Sequence, residues 1–376
     1  MSAYNLNIEA LTPVHIGDGV FLQKGSDFIT IKRTDESGEV YLVNFIIDPQ
    51  KVLACIGEGH LADWMASIER RAESVWAFAK RYKKDIRPED LSKRAVYSYA
   101  SESRPTDTLK TCMHNGMGFP YIPGSSIKGA IRTAVFASMV SEVNNLSGKV
   151  AQRFSSKPVE DELFGRINED VFRFLQVGDA YFPKDCEIST RMVSLNITKD
   201  SHLYDASMPQ LVEAIGTDSQ TTFQLTLASD TYQWVKGHYD NKKQVFPEFP
   251  TCMTSLPALF KAVNAQTQKL LEEEIRIWTD LSEQYTGAEV YVENLKGILA
   301  STEACQAGKE CVLRIGYGSG WRFITGAWCE QLHIFDKVID RARPRNHNYI
   351  QYRFPKTRRI DTDSDILGFV KLSFHS

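Results

Sequence analysis

The chain has 376 residues, of which 43% are hydrophobic, enough to bury a large core and to form two packed domains. Its net charge of −3 argues against a protein that coats nucleic acid with its whole surface. Its apolar runs are shorter than the roughly 20 residues that span a bilayer, and its N-terminus lacks the pattern of a signal peptide, so we expect a cytoplasmic protein.

The first predicted elements are strands. Polar and apolar residues alternate over residues 5–11, which is typical of a half-buried strand. Residues 28–31 and 40–45 are predicted to form two further strands that pair around the Ser37-Gly38 turn.

A helical region follows these strands. Asp48 and Pro49 have the residue types of an N-cap and a first helical position, and helical apolar spacing then continues to about residue 84. Arg87-Pro88 opens another short helix. We interpret residues 57–100 as a helical insertion.

Strands and helices are mixed through the rest of the chain. Helices are predicted at 126–140 and, as a long amphipathic segment, at 256–281. Strands are predicted at 106–113, 172–177, 192–197, 223–227, 312–315 and 369–374. The mixture indicates an α+β fold with largely antiparallel sheets, divided into an N-terminal domain (1–215) and a C-terminal domain (216–376).

The cysteines give no sign of a metal site or of disulfide bonds. They are seven in number, scattered, and contain no C-x-x-C pair, so we expect buried, reduced thiols. Their positions are Cys55, Cys112, Cys186, Cys252, Cys305, Cys311 and Cys329.

The turn after the first strand reads L-T-P-V-H-I-G-D-G and is the first candidate site. Gly17 and Gly19 allow a tight loop whose backbone a phosphate or a base could approach closely. His15 lies in the same turn. The alternative is a steric turn with a core histidine.

The second candidate site is the segment I-P-G-S-S-I-K-G-A-I-R-T-A. Ser125 or Ser126 is expected to cap a helix, with Lys128 and Arg132 four residues apart on its first turns. Two cations at a helix N-terminus oppose the helix dipole, and a phosphate of an RNA backbone would remove the conflict. The alternative is a solvated helix face.

The third candidate site is the loop R-I-G-Y-G-S-G-W-R. Its aromatic side chains could stack on bases while its cations and hydroxyl bind phosphates. The residues concerned are Arg314, Tyr317, Ser319, Trp321 and Arg322. A plain glycine turn with core aromatics is the alternative.

The C-terminal part is basic. Residues 314–371 hold eleven Lys and Arg against six Asp and Glu, a local net charge of +5. Residues 341–359 hold seven cations and no acid, interleaved with aromatic residues, which favours nucleic-acid binding over a disordered basic loop. The candidates in this stretch are Lys356, Arg358 and Arg359.

Together these three motifs, with L-F-G at 163–165 and L-G-F-V-K-L at 367–372, resemble the RAMP superfamily of CRISPR proteins and, within it, the fifth Csm subunits of type III-A effector complexes. The resemblance implies RRM-related, ferredoxin-like modules with helical insertions. It also implies candidate RNA or packing roles for residues of all three motifs. These are Gly17, Gly19, Ser125, Ser126, Lys128, Arg132, Gly316, Gly318, Gly320 and Arg322.

The resemblance further implies a subunit that contacts the 3′ portion of the guide RNA and supports its maturation. Its implied partners are the backbone and small helical subunits of the Csm complex and recruited nucleases. We expect no catalytic residue, metal or cofactor.

Two alternatives remain at this point. The first is a ribonuclease, either metal-independent with His15 as general acid or base beside Lys128, or metal-assisted through Asp18 or Asp27. The second is a protein-only scaffold, which would leave the cations of the second motif and the basic stretch without a purpose.

Overall fold

The computed structural model describes residues 2–70, 73–99, 107–196, 204–282, 288–342, 354–355, 357–361 and 366–374. The strands within these ranges are β1 (Ser2–Ala10), β2 (Gly17–Gln23), β3 (Phe28–Thr34), β4 (Val40–Ile47), β5 (Ser92–Ser98), β6 (Thr108–Cys112), β7 (Tyr121–Ile122), β8 (Leu175–Val177), β9 (Ala180–Tyr181), β10 (Glu187–Asn196), β11 (Tyr204–Ile215), β12 (Gln220–Leu227), β13 (Glu310–Arg314), β14 (Thr357–Asp361) and β15 (Phe369–Ser373).

The α-helices in the same ranges are α1 (Pro49–Ile56), α2 (Leu61–Arg70), α3 (Val75–Tyr82), α4 (Pro88–Leu91), α5 (Gly124–Met139), α6 (Leu146–Ala151), α7 (Lys157–Phe164), α8 (Ser229–Asn241), α9 (Leu256–Ser282), α10 (Ala288–Glu303) and α11 (Phe335–Ala342). None of the described helices is both long and apolar enough to cross a bilayer.

The fold class is α+β, as the sequence predicts. Strand β1, the β3–β4 hairpin and the long helix α9 form where local patterns place them. The Asp48 carboxylate accepts a hydrogen bond from the Gln50 amide (2.9 Å) and so caps α1, with Pro49 at its first position.

Other predictions fail where tertiary pairing outweighs local pattern. The predicted insertion at 57–100 ends instead in β5, which pairs with both β4 and β10. Residues 171–174 form a 3-10 turn, so that the strand predicted there begins only at Leu175. The prediction also omits several strands and helices entirely, namely β2, β7, β9, β11, β14, α6, α7, α8, α10 and α11.

A five-stranded sheet joins the two ends of the chain. Its strand order is β13-β15-β1-β12-β8, and each neighbouring pair in that order is antiparallel. Strand β1 therefore lies between two strands from the C-terminal half. The sheet thus contains strands from both sides of the predicted domain boundary near residue 215.

A larger sheet presents the residues of the candidate site. Its strand order is β2-β6-β11-β10-β5-β4-β3, with β14 pairing along the far end of β10. The β11–β6 and β10–β5 pairs are parallel, and the others are antiparallel. The sheet thus takes strands from both halves of the chain.

Helix α9 connects two hydrophobic cores. Its first half, including Phe260 and Val263, packs with α5 in the core of the five-stranded sheet. Its second half, including Leu271 and Trp278, packs against α10 and the opposite face of β13 and β15. An amphipathic helix with apolar residues on two faces is suited to such a position.

A buried ionic cluster lies on the second half of α9. Glu274 is fully buried, and its carboxylate accepts hydrogen bonds from the indole N–H of Trp278 (3.0 Å) and the hydroxyl of Tyr291 (2.9 Å). Arg358 of β14 binds the same carboxylate through two nitrogens, and Arg322 lies 3.5 Å away. Burial disfavours the ionised form, but these two guanidinium groups offset it and hold the pKa of Glu274 below its ordinary value.

Glu274→Ala should lower the free energy of unfolding by about 3 to 5 kcal/mol, because it removes the carboxylate that binds the buried Arg358 and one of the carboxylates that pair with Arg322. Denaturant unfolding would measure the effect. Glu272→Ala, at an exposed position on the same helix, is the control and should change stability by less than about 0.5 kcal/mol. Equal, small effects of the two substitutions would contradict a structural role for the cluster.

Candidate nucleic-acid interface

The first and third sequence motifs meet in space. The backbone N–H of Tyr317, in the glycine-rich loop, donates to the carbonyl of His15 (2.9 Å). Gly316 has a φ of +81°, and a Cβ there would lie 2.6 Å from the same carbonyl oxygen. Glycine is therefore required at position 316, both for its backbone conformation and for the close approach.

His15 positions this loop from inside the protein. Its side chain is only 2% exposed, and its Nδ1 donates to the carbonyl of Glu213 (2.5 Å). Burial lowers its pKa and so favours the neutral ring. The ring edge also contacts Tyr317, at 5.8 Å between centroids. The prediction that His15 contacts RNA is therefore corrected, since the side chain cannot reach a ligand at the surface.

An exposed aromatic surface with a lysine at its centre lies beside this junction. Tyr317 is 41% exposed and Phe21 is 53% exposed. The ammonium of Lys110 lies 4.4 Å from the ring centroid of Tyr317 and 5.5 Å from that of Phe21. Gln210 accepts hydrogen bonds from Lys110 (2.7 Å) and from the Tyr317 hydroxyl (3.0 Å). We call Phe21, Lys110, Gln210 and Tyr317 the loop patch.

The predicted glycines Gly17 and Gly19 lie at the start of β2, close to this patch in sequence and exposed. A Cβ at Gly17 would lie 3.0 Å from the His15 ring, whereas Gly19 faces open space with a φ of +84°. The Asp18 carboxylate accepts hydrogen bonds from the Val20 amide (2.8 Å) and the Thr111 hydroxyl (2.6 Å). Asp18 therefore shapes the turn, and Gly19 leaves its backbone accessible.

Three predicted RNA-binding arginines point into the protein, so their predicted role is corrected. Arg314 is buried, its guanidinium lies against the rings of Phe323 and Phe369, and it donates to the Leu367 carbonyl (2.9 Å). Arg322 is paired with Glu330 and Glu274, and Arg358 with Glu274. Buried carboxylates and aromatic faces take the place of the expected phosphates.

The other residues of these motifs have mixed environments. Ser319 is buried, and its hydroxyl donates to the carbonyls of Ile315 (2.8 Å) and Gly316 (2.6 Å), so it stabilises the turn. Trp321 packs edge-on against Phe354, with centroids 5.1 Å apart. Arg359 is half-buried on β14 and has a partner, while Lys356 lies outside the described residues.

The second motif forms α5, but neither serine caps it. Pro123 is the N-cap, and the Gly124 amide donates to the carboxylate of Asp179 (2.8 Å). The expected anion site at this end thus already holds a carboxylate of the protein. Ser125 is exposed and Ser126 half-buried.

The two cations of α5 differ. Arg132 forms ion pairs with Asp170 (2.9 Å) and Glu160 (3.4 Å), and its guanidinium lies over the rings of Phe164 and Phe172. Lys128 is half-buried and makes no hydrogen bond or ion pair with the described part of the chain. Burial lowers its pKa; the nearby Asp170 carboxylate opposes this shift, and Arg132 adds to it. Lys128 is thus the cation of this pair that can still bind an anion.

No sequence motif predicts the polar cluster beneath the loop patch. His114, Glu187 and Glu213 place one ligand atom each within 4.8 Å of one another, a spacing that could hold a metal ion. The guanidinium of Arg94, however, pairs with both carboxylates and contacts the His114 ring (2.9 Å). A cation would have to displace Arg94, so the cluster fits an internal counterion better than a metal.

The pKa values of the two carboxylates in this cluster are shifted in opposite directions. Burial and the neighbouring Glu187 raise the pKa of Glu213. Burial also acts against ionisation of Glu187, but His114 and Arg94 outweigh it and lower the pKa. Because Glu213 also binds the Cys112 amide (3.0 Å) and, through its carbonyl, His15, the cluster fixes β6 and β11 below the patch.

Comparison with known proteins gives a family and a fold. The model of the RAMP superfamily matches residues 7–322. No curated protein matches the chain. One similar solved structure is a chain of a cryo-EM structure of a Csm-crRNA-target RNA ternary complex in a type III-A CRISPR-Cas system. It has 18% identity and a TM-score of 0.69, over 99% of this chain and 100% of that one.

A second similar structure is the crystal structure of T. onnurineus Csm5. It has 18% identity and a TM-score of 0.64, over 97% of this chain and 99% of that one. At this identity the likeness shows a shared fold along nearly the whole length. It confirms the predicted fold class.

Gly316→Ala should displace the glycine-rich loop, because the added Cβ meets the His15 carbonyl in addition to the strain of a positive φ. Gly320→Ala is the matched control, since Gly320 has a φ of +76° but no atom within 4 Å of an added Cβ. We expect the control to cost about 1 to 2 kcal/mol in unfolding free energy and Gly316→Ala to cost more. Thermal unfolding of both variants tests this, and equal losses would contradict the close packing.

Proposed function

The chain belongs to the RAMP superfamily, and from this premise we propose that it is an RNA-binding subunit of a type III-A CRISPR (Csm) effector complex. In this proposal it contacts the 3′ portion of the guide RNA and supports guide maturation and antiviral interference, without catalysis of its own. Its partners are the guide RNA, the backbone and small helical subunits of the complex, and recruited nucleases. The shared fold with a chain of a Csm-crRNA-target RNA complex supports this assignment.

The loop patch is the observation that carries the RNA-binding proposal. Tyr317 and Phe21 offer exposed rings on which bases can stack, and Lys110 lies between them as a cation for a phosphate. The open backbone at Gly19 allows close approach beside them. Such contacts address base faces and phosphates rather than base edges, so RNA should bind with little sequence preference and with strong salt dependence.

The predicted residues of α5 supply a second candidate contact. Lys128 and Ser125 are available near the helix N-terminus, whereas Arg132 is already neutralised by two carboxylates. We therefore assign RNA binding to Lys128 and Ser125, with Ser126 beside them, and a structural role to Arg132.

The ribonuclease alternative finds little support in the geometry. A general base must reach the 2′-hydroxyl of the substrate, but His15 is buried and its Nδ1 is bound to a backbone carbonyl. Asp27 accepts a hydrogen bond from the Gln23 amide (2.7 Å) in one turn, and Asp18 shapes another. Neither belongs to the group of potential metal ligands found among the described residues.

Lys110→Ala should weaken binding of single-stranded RNA and reduce the magnitude of the salt slope by about one, because one phosphate contact is lost. Tyr317→Ala should cost about 1 to 3 kcal/mol of binding free energy through lost stacking. Fluorescence anisotropy with labelled RNA at several salt concentrations measures both effects.

Two exposed residues on other elements serve as controls for these variants. Lys261→Ala removes a lysine from α9, and Trp234→Ala removes a 75%-exposed aromatic side chain from α8. Neither should change RNA affinity. The patch would be excluded as the RNA contact if the control variants bound RNA as weakly as Lys110→Ala and Tyr317→Ala.

Lys128→Ala and Arg132→Ala should separate binding from stability. Lys128→Ala should weaken RNA binding and leave the melting temperature nearly unchanged, because among the described residues this lysine makes no hydrogen bond or ion pair that the substitution would remove. Arg132→Ala should lower stability by about 1 to 2 kcal/mol, because it removes ion pairs and ring contacts, and should leave RNA affinity unchanged. The reverse pattern, with Arg132 needed for RNA and dispensable for stability, would refute this division.

A further inference from the structure

Three tyrosines form an exposed cluster on the face of the larger sheet that α1 to α3 cover only in part. The ring of Tyr97 lies 5.4 Å from that of Tyr41 and 5.0 Å from that of Tyr99, measured between centroids. Tyr97 is 42% exposed and Tyr99 is 53% exposed. We call Tyr41, Tyr97 and Tyr99 the tyrosine face.

The register of the strands explains why this face is open. Tyr97 is paired with Val43, and Val43 packs with Ile29 and Phe45 beneath the helical insertion. Residues on the same side of neighbouring strands continue one surface. The helices therefore cover the Ile29–Phe45 end of that surface and leave its tyrosine end in solvent.

Charged groups border the tyrosine face, and Arg33, directly opposite Tyr41 in the strand register, is paired with Glu89. The β3–β4 turn carries Asp35, Glu36 and Glu39, all exposed. Partial burial raises the pKa of Tyr97, and the nearby Glu39 and Asp35 add to the rise. Asp35 is occupied in capping its own turn through Ser37 and Glu39 amides. Glu36 and Glu39 make no ion pair or side-chain hydrogen bond with any part of the chain that the structure describes.

We propose that the tyrosine face, with the Glu36 and Glu39 carboxylates, is a docking surface for a basic, arginine-bearing segment of a partner protein. Tyrosine rings attract guanidinium groups through cation–π contact, and free carboxylates pair with the same groups. Exposed tyrosines are also typical anchors of protein interfaces. The same carboxylates repel phosphates, so charge complementarity favours a basic peptide over RNA. This surface is separate from the loop patch, and the inference does not depend on RNA binding.

The experiment compares two paired variants with two controls. Glu36→Gln with Glu39→Gln removes the charge, and Tyr97→Ala with Tyr99→Ala removes the rings. Glu58→Gln with Glu69→Gln removes two exposed charges elsewhere in the helical insertion, and Trp234→Ala removes an exposed ring on α8. All the changed side chains are exposed, and thermal unfolding confirms that each variant is folded.

The probe is a synthetic peptide of alternating glycine and arginine, with a peptide of alternating glycine and glutamine as its uncharged match. Titration followed by anisotropy should show that each paired variant of the tyrosine face binds the arginine peptide about three- to tenfold more weakly. The two controls should bind it as the unmodified chain does. The affinity for single-stranded RNA should be the same in all of them.

Two results would overturn the inference. The first is an affinity for the arginine peptide that does not change in the tyrosine-face variants, or that Glu58→Gln with Glu69→Gln weakens equally. Either outcome would show only diffuse charge attraction. The second is a change in RNA affinity. If Tyr97→Ala with Tyr99→Ala weakens RNA binding and Glu36→Gln with Glu39→Gln strengthens it, this face is a nucleic-acid surface instead. Neither result bears on the Lys110 and Tyr317 variants, so the RNA-binding proposal is judged separately.

Discussion

The buried carboxylate of Glu274 constrains much of this fold. An ionised carboxylate in a protein interior is tolerated only when cations and hydrogen-bond donors surround it. Here Arg358 comes from β14, Arg322 from the segment after the glycine-rich loop, and Tyr291 from α10. The contacts of Glu274 on α9 therefore hold β14, α10 and the base of the glycine-rich loop in place. This loop presents Tyr317 at the surface.

This use of charge changes how the basic C-terminal part is understood. The sequence of this part has an excess of Lys and Arg. In the fold, however, Arg314, Arg322 and Arg358 are buried and contact aromatic rings and carboxylates inside the protein. The loop patch instead combines exposed rings with Lys110. Under the proposed function, binding of single-stranded RNA at such a surface would depend on stacking as much as on charge.

The sequence predicts what local patterns determine and misses what distant residues determine. The Asp48 cap, the β3–β4 turn and the periodicity of α9 are local, so their elements are predicted correctly. Strand β14 has the residues T-R-R-I-D, which resemble a solvated basic stretch until Glu274, 84 positions away, supplies a counterion for Arg358. Likewise, the sequence places His15 and Gly17 in one motif and Tyr317 in another, and the fold joins the two motifs. Lys110 lies in a predicted strand with no pattern to mark it.

The most direct test of the account is to incubate the purified chain with labelled guide-RNA precursor across a range of salt concentrations, with and without a divalent metal ion. If the chain binds guide RNA without catalysis, the affinity should fall steeply as salt rises and the RNA should remain uncut under every condition. Cleavage of the precursor that disappears in His15→Ala or Asp27→Ala would contradict the account. So would an affinity that does not change with salt.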